Sequence, residues 1–435
     1  MSSTEISVCW FRRDLRVNDN AAFYHSLKSN YPVLPVFIFD SNILDKLDDK
    51  SDARVTFIYQ TLKETNERIQ KEGSSFLILY DKPEKAFKKI CEQFNVKEIF
   101  TNHDYEPYAI ERDKVIAAFL RERDIPFHTF KDQVIFEKSE VVKDNVDPYT
   151  IFTPYSKTWK KKLQQKEIQH FPSENFLKNL IQTSSFHFPS LQEIGFKESG
   201  VKVPKLNISE SLIKQYDKTR NNPSLEGTSY AGVHLRFGTV SVRKLVKLAL
   251  KLNEQWLNEL IWREFFMQIL FHFPYVEEHN FKRNYDRLEW RNDEKEFELW
   301  CKGETGYPIV DAGMRQLNQT GWMHNRVRMI VSSFLCKHLL IDWRWGEAYF
   351  AQKLLDYELA SNNGNWQWAA GTGCDAAPYF RIFNPTTQIK KFDPKLVYIK
   401  RWIEEFRPGY LPEIVKHELA RKRALEAYKK ALDEK

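Results

Sequence analysis

Short apolar runs and longer periodic ones alternate over the first 130 residues. "ISVCWF" (6–11), "PVLPVFIFD" (32–40), "SSFLILYD" (74–81) and "VKEIFTNHD" (96–104) are compact and rich in β-branched and aromatic side chains, which predicts strands. Between them, "NAAFYHSLKSN", "DARVTFIYQTLKETNERIQKEG" and "EKAFKKICEQFN" repeat their apolar positions with helical period. Strands alternating with helices predict a parallel sheet covered on both faces. The pattern breaks between Gln133 and Lys202, where "VVKDNVDPYTIFTPYSKTWKKKL" and "TSSFHFPSLQEIG" read as a connector with one short helix at Tyr155–Gln165. From Asn207 onward helical segments dominate. "SVRKLVKLALKLNEQWLNELIWREFFMQILFHFP" (241–274) reads as one helical stretch ended by Pro274. The expected fold class is α/β plus all-α. A Rossmann-like parallel-sheet domain spans 1–132, a connector 133–202 and a helical domain 203–435.

Composition narrows this picture. At 435 residues the chain exceeds one small core. No run approaches a membrane span, and Met1 to Asp19 lacks the layout of a signal peptide. The five Cys (Cys9, Cys91, Cys301, Cys336, Cys374) show no metal-binding spacing, so reduced thiols in a cytoplasmic or nuclear compartment are expected. A net charge of +7 permits a polyanionic partner without requiring one. No GxGxxG follows the first strand, so a dinucleotide site of the usual kind is unsupported there. Tryptophan is the uneven residue: of 12, only Trp10 and Trp159 precede Trp256.

The candidate chemistry lies in that Trp-rich half. On a helix, Trp256, Glu259, Trp262 and Arg263 share one broad face, and the plainest reading pairs Glu259 with Arg263 at i, i+4. "GWMHNRVRM" adds Asn325, Arg326, Arg328 and Met329; Met329 could be core and the arginines solvated. His324 reads as structural, with no metal cluster around it. "EGTSYAGVHLRFGTVS" places Thr228 and Ser229 among small residues, a weak signal for a phosphate cradle. "NNGNWQWAAGTGCDAAPYFRIFNPTTQ" (362–388) fits no amphipathic helix, with Trp366 and Trp368 beside a cluster of amides.

These motifs, in this order, resemble the photolyase/cryptochrome flavoproteins over essentially the whole chain. "CWFRRDLRVNDN", "FTPYSKTW", "EGTSYAGVHLRFG", "WLNELIWREFF", "TGYPIVDAGMRQL" and "GWMHNRVRM" carry the resemblance. "WMHNRVRM" is similar to the class I type of DNA photolyase that repairs cyclobutane pyrimidine dimers; the (6-4) branch usually places two His here. The resemblance implies one FAD per chain in the helical domain. Tyr216, Arg220, Thr228 and Ser229 would contact its phosphates and ribityl chain. Trp256, Arg263, Arg328, Asp356, Glu358 and Asn362 would surround the flavin, with the Asn362 amide at the reactive ring nitrogen. Trp366, Trp343 and Trp290 would form an electron-hopping path to the surface. Trp262 and Trp368 would stack on a flipped-out lesion, Glu259 would meet the thymine edges, and Asn325, Arg326 and Met329 would complete the DNA-binding set. The implied partner is damaged DNA, single- or double-stranded, and the implied state a monomer. The implied activity is light-driven dimer splitting by electron transfer from excited reduced FAD.

The sequence departs from the family pattern in three places. Glu358 stands where a second Asp is common, and Ala231 and Gly232 replace larger or hydroxylated residues in the phosphate loop. Tyr108 and Ala109 stand where folate-antenna photolyases carry polar ligands, which disfavours folate and leaves a deazaflavin, a flavin or no antenna open. A blue-light sensor of the cryptochrome kind is the runner-up. A light-independent flavin electron carrier is a third reading, one that would not need the Trp262, Trp368 and Glu259 cluster.

Overall fold

The structure, a computed structural model, describes residues 4–433. Five strands form one parallel sheet: β1 (Glu5–Phe11), β2 (Val33–Asp40), β3 (Leu77–Asp81), β4 (Asn95–Asn102) and β5 (Phe127–Phe130), in the order β3-β2-β1-β4-β5. β1 is central, with Val8 level with Leu34 on one side and Ile99 on the other. β2 is buried along its whole length and β1 after its first residue, the signature of a parallel sheet covered on both faces. The helices between the strands start where their sequences provide a cap. The Asn20 side chain accepts from the Phe23 N–H, Asp52 accepts from the Arg54 N–H, and Pro83 and Pro107 open the next two. The four expected strands and three expected helices are all present; β5 is additional.

Contacts divide the chain into two units. The first takes in the chain up to Glu137, Lys161–Pro204 and Ala231–Leu248. The second takes in Lys138–Lys160, Lys205–Tyr230 and the chain from Ala249. Much of the segment expected as a connector therefore packs with the sheet. A buried charge network shows why. Asp132 accepts from Arg16 at 2.6 Å, Arg243 at 2.8 Å and the Ala21 N–H at 3.1 Å. Asp19 accepts from Arg243 at 3.0 Å, the Phe171 N–H at 2.9 Å and the Ser241 hydroxyl. Residues from all three segments satisfy the same two carboxylates. Burial raises the Asp132 carboxyl, but Arg16 and Arg243 outweigh it and hold the group at about 2.

The second unit is helical. The stretch expected as one helix is two: Val242–Leu252, most of which belongs to the first unit, and Glu254–His272, which belongs to the second. Asn253 breaks it by taking an extended backbone (φ −163°) and capping the second helix through the Trp256 N–H. The other helices that matter here are Phe152–Gln164, Pro308–Thr320, Asn325–Ser333, Trp343–Lys353, Leu359–Ala370 and His417–Asp433. Their core gathers Trp300, Trp343 and Trp366 with Val310, Val331 and Phe350. Gly364 lets two helices approach closely, since a Cβ there would stand 2.2 Å from the Phe266 ring. Among the described residues, no helix is long and apolar enough to cross a membrane.

Candidate functional site

A cavity in the helical unit is lined by Asn325, Arg328, Met329, Asp356, Glu358, Asn362, Trp366 and Trp368, together with Ser332, Phe350, Tyr357 and Asn365. Eight residues singled out from sequence thus meet at one place. The helix Asn325–Ser333 brings the first three and the helix Leu359–Ala370 the last three. His324 caps the former, its Nδ1 accepting from the Arg326 N–H at 3.1 Å. Burial and the nearby Arg326, Arg328 and Arg220 push His324 down to about 4, so it is a neutral structural group.

The ion pairs differ from the helix-local expectation. Glu259 does not pair with Arg263. Its Oε1 accepts from Arg220 at 2.5 Å and from Gln255 at 2.9 Å, while Arg263 donates to Glu358 at 3.0 Å. The i, i+4 reading fails because longer-range partners of better geometry exist. Glu259 therefore has protein partners without any ligand. Arg328 donates to Asp356 Oδ2 at 2.9 Å, but Asp356 Oδ1 is buried with no hydrogen-bond partner. A buried, unpaired carboxylate oxygen beside a cavity is costly unless a ligand donor reaches it. Arg326 donates to Asn221 at 2.6 Å and lies 4.4 Å over the Phe392 ring, with its Nε buried and unpartnered. Burial, Arg220 and Arg381 all lower its pKa, which marks a cationic neighbourhood suited to an anion.

Asn362 is buried and donates through Nδ2 to the Glu347 carbonyl at 3.1 Å and to its carboxylate at 2.8 Å. Burial raises the Glu347 carboxyl, the Asn362 bond lowers it and Glu277 raises it, for a net rise. Glu347 is a site residue that sequence reading missed. A single Glu in "WRWGEAYF" offers no local signal, because its partner lies fifteen residues on. Trp366 packs edge-on to Phe350 at 5.0 Å and to Trp300 at 6.2 Å. Gly346 makes room for it: a Cβ would fall 2.2 Å from its ring. Trp343 is buried and donates from Nε1 to Asn280 at 2.9 Å. Trp290 is half-buried against the same core. Trp262 lies flat on Phe152, centroids 3.7 Å apart and planes 5° apart.

The remaining expected residues do not line the cavity. Trp256 is buried on its helix. Tyr216 is half-buried in the turn before Arg220, its phenol raised by burial and by Glu259. Ser229 is buried, and the Thr228 hydroxyl oxygen is buried beside it. In the first unit, Tyr108 is partly exposed and donates to Asp40 at 2.6 Å, while Ala109 is buried.

The donor set suits a flavin nucleotide. The unsatisfied Asp356 oxygen can accept a ligand hydroxyl or N–H, the amide of Asn362 is held in place, and Arg263 and Arg328 supply paired positive charge. The comparisons with known proteins point the same way. Residues 256–409 match the FAD binding domain of DNA photolyase, and residues 7–174 match DNA photolyase. A deoxyribodipyrimidine photo-lyase of Synechococcus is 34% identical over 94% of this chain and 90% of its own. A class III photolyase structure from Agrobacterium tumefaciens superposes with a TM-score of 0.87, at 30% identity, over 99% of this chain and 98% of that one. An archaeal photolyase from Sulfolobus tokodaii, solved with two FAD molecules, gives 0.83 at 32% identity over 98% and 100%. Fold, donor set and sequence agree, and the chain belongs to the DNA photolyase family, with an FAD-binding helical unit.

Proposed function

We propose that this protein splits cyclobutane pyrimidine dimers in DNA in a light-driven reaction, acting as a monomer in a reducing compartment. The observation that carries the proposal is the cavity where Asn362, Trp366 and Trp368 meet Asn325, Met329 and the Arg328–Asp356 pair. Bound reduced FAD supplies a photoexcited electron there. The protein's part is to hold and orient. Tyr216, Arg220, Thr228 and Ser229 would hold the cofactor's phosphate side, while Trp256, Arg263, Arg328, Asp356, Glu358 and Asn362 would hold its ring. The Asn362 amide, fixed by Glu347, presents a hydrogen-bonding group without a titratable proton.

On the DNA side, a lesion must leave the base stack, which costs a few kcal/mol, least where pairing is already weakened. Stacking on Trp262 and Trp368 would return about 1–3 kcal/mol per base. Glu259, held at one oxygen by Arg220 and Gln255, would present the other to the thymine edges. Asn325 and Met329 complete the wall, and Arg326 takes a backbone phosphate. Trp366, Trp343 and Trp290, which share one core, would carry electrons inward from the surface to the bound flavin.

Illuminating the purified protein with dimer-containing DNA, against a dark control, tests the proposal by dimer loss. A normal flavin photocycle without dimer loss would favour the sensor reading. Trp366→Phe should slow or stop photoreduction of oxidised flavin, because Phe is too hard to oxidise to pass the hole, while chemically reduced protein still repairs. Unchanged photoreduction would remove Trp366 from the path.

A further inference from the structure

Phe152 opens the helix Phe152–Gln164, and its position is fixed from two sides. Its ring lies parallel to Trp262, 3.7 Å between centroids and 5° between planes, and meets Phe265 edge-on at 5.9 Å. That is a near-parallel, face-to-face stack between residues 110 positions apart in sequence. Its backbone N–H donates to Asp375 Oδ2 at 3.0 Å. The first N–H groups of a helix have no partner within the helix, so a carboxylate brought from elsewhere satisfies one and meets the positive end of the helix dipole. Asp375 lies in the loop that leaves the helix Leu359–Ala370, five residues after its end. That helix carries Trp368.

We propose that Phe152 and Asp375 form a brace that sets the plane of Trp262 and links it to the segment carrying Trp368. Phe152 is a positioning residue. Phe265 and Phe266 also meet the Trp262 ring, at 5.6 and 5.5 Å, but Phe152 is the nearest and the most nearly parallel to it, so it sets the plane of the stacking surface before the lesion arrives. Preorganisation of this kind raises affinity by removing the ordering cost of binding. Asp375 acts through Phe152, holding the helix start in register with the loop beyond Trp368. The proposal rests on the reading of Trp262 and Trp368 as the lesion's stacking surfaces.

The test compares dark binding of the flavin-loaded protein to the same oligonucleotide with and without a thymine dimer. Phe152→Leu should lower the preference for damaged DNA by roughly three- to tenfold, the range expected for one aromatic pair. Affinity for intact DNA and flavin content should stay at wild-type values. Phe152→Tyr should restore the preference, since it keeps the flat ring; a residue that merely fills volume would be rescued by Leu as well. Asp375→Ala should lower the preference about twofold, in the range of a lost cap, and serves as the second arm should Phe152→Leu reduce stability. Trp262→Leu is the control for the underlying reading. If Trp262→Leu lowers the preference while Phe152→Leu and Asp375→Ala do not, the brace is wrong and the lesion surface stands. If none of the three has an effect, both are wrong. Tighter binding of damaged DNA by Phe152→Leu would mean that Phe152 covers the lesion's own face of Trp262, which also overturns the brace.

Discussion

In the α/β unit, Asp132 accepts from two arginines and a backbone N–H, and Asp19 from an arginine, a backbone N–H and a hydroxyl. In the helical unit, Asp356 accepts from one arginine at one oxygen while its other oxygen, which is buried, accepts from nothing in the protein. Both regions bury opposite charges. The first closes its hydrogen bonds within the protein and holds three chain segments together; the second leaves capacity facing a cavity. Buried charge with its bonds satisfied is architecture, and buried charge with a vacant acceptor beside open space is a place for a ligand.

The largest break in this comparison should come from the closed network. Arg243→Met leaves two buried carboxylates short of a partner and should destabilise the protein by about 3–5 kcal/mol, read by denaturant unfolding. Dimer repair by the fraction that remains folded should be normal. If repair falls instead at unchanged stability, the division between architecture and site is wrong.

A slightly smaller effect separates the units by pH. His324 is neutral in the fold and titrates at about 4, against an ordinary value of 6.5 in the unfolded chain. The unfolded state then binds the extra proton between these values. The stability that His324 contributes is complete above 6.5 and is lost as pH falls toward 4, by about 3 kcal/mol at most. Asp132 behaves differently: its contribution persists above 3.8 and is lost only as pH falls toward 2. Unfolding followed from pH 7 to 4 should show the slope in wild type and a flatter one in His324→Asn, which keeps a capping acceptor. Equal slopes would show that His324 is not buried neutral.

Glu259→Ala sharpens the site side. Loss of one hydrogen bond to a buried polar edge is worth about 1–3 kcal/mol, so preference for damaged over intact DNA should fall roughly ten- to a hundredfold, and repair per absorbed photon with it. Arg220 would lose its carboxylate, so the competing outcome is also defined. Early melting or loss of flavin, with normal repair by the remaining holoprotein, would make the Arg220–Glu259 pair structural. Quantum yield and melting temperature should be taken on the same preparation.

The smallest expected effect lies in the first unit. Tyr108 is bonded to Asp40, and Ala109 has no polar side chain. Protein made in a folate-replete host should therefore carry no stoichiometric pteridine, checked by chromophore extraction. A one-to-one yield would reverse the folate reading.

The sequence carried the local features well. The short apolar runs of β1 to β4 and the periodic runs between them announce themselves within a few positions. β5 did not, because "FHTF" is four residues with a His and a Thr, too short and mixed to stand out. The break at Asn253 was hidden because apolar periodicity continues across it; only the backbone angle ends the helix. At the site, motif order singled out eight of the residues that line the cavity, but not Ser332, Phe350, Leu354, Tyr357, Ser361 or Asn365, and not the partners of the charged ones. Glu259 meets Arg220 from 39 positions away and Trp262 meets Phe152 from 110, whereas sequence spacing offers only neighbours a turn apart. The Asn362–Glu347 bond was missed for the same reason.

The way the chain is shared between the units also bears on its synthesis. Chain emerging from a ribosome can fold only what has been made. The sheet is complete by Phe130, yet Asp19 and Asp132 wait for Arg243, 113 residues after the last strand ends. Until then two acidic groups meant for a dry interior have Arg16 as their only cation in the network. The sheet domain should therefore emerge as a loosely closed nascent intermediate and lock only when the segment Ala231–Leu248 arrives, so a fragment ending at Glu137 would lack the residue that fastens it.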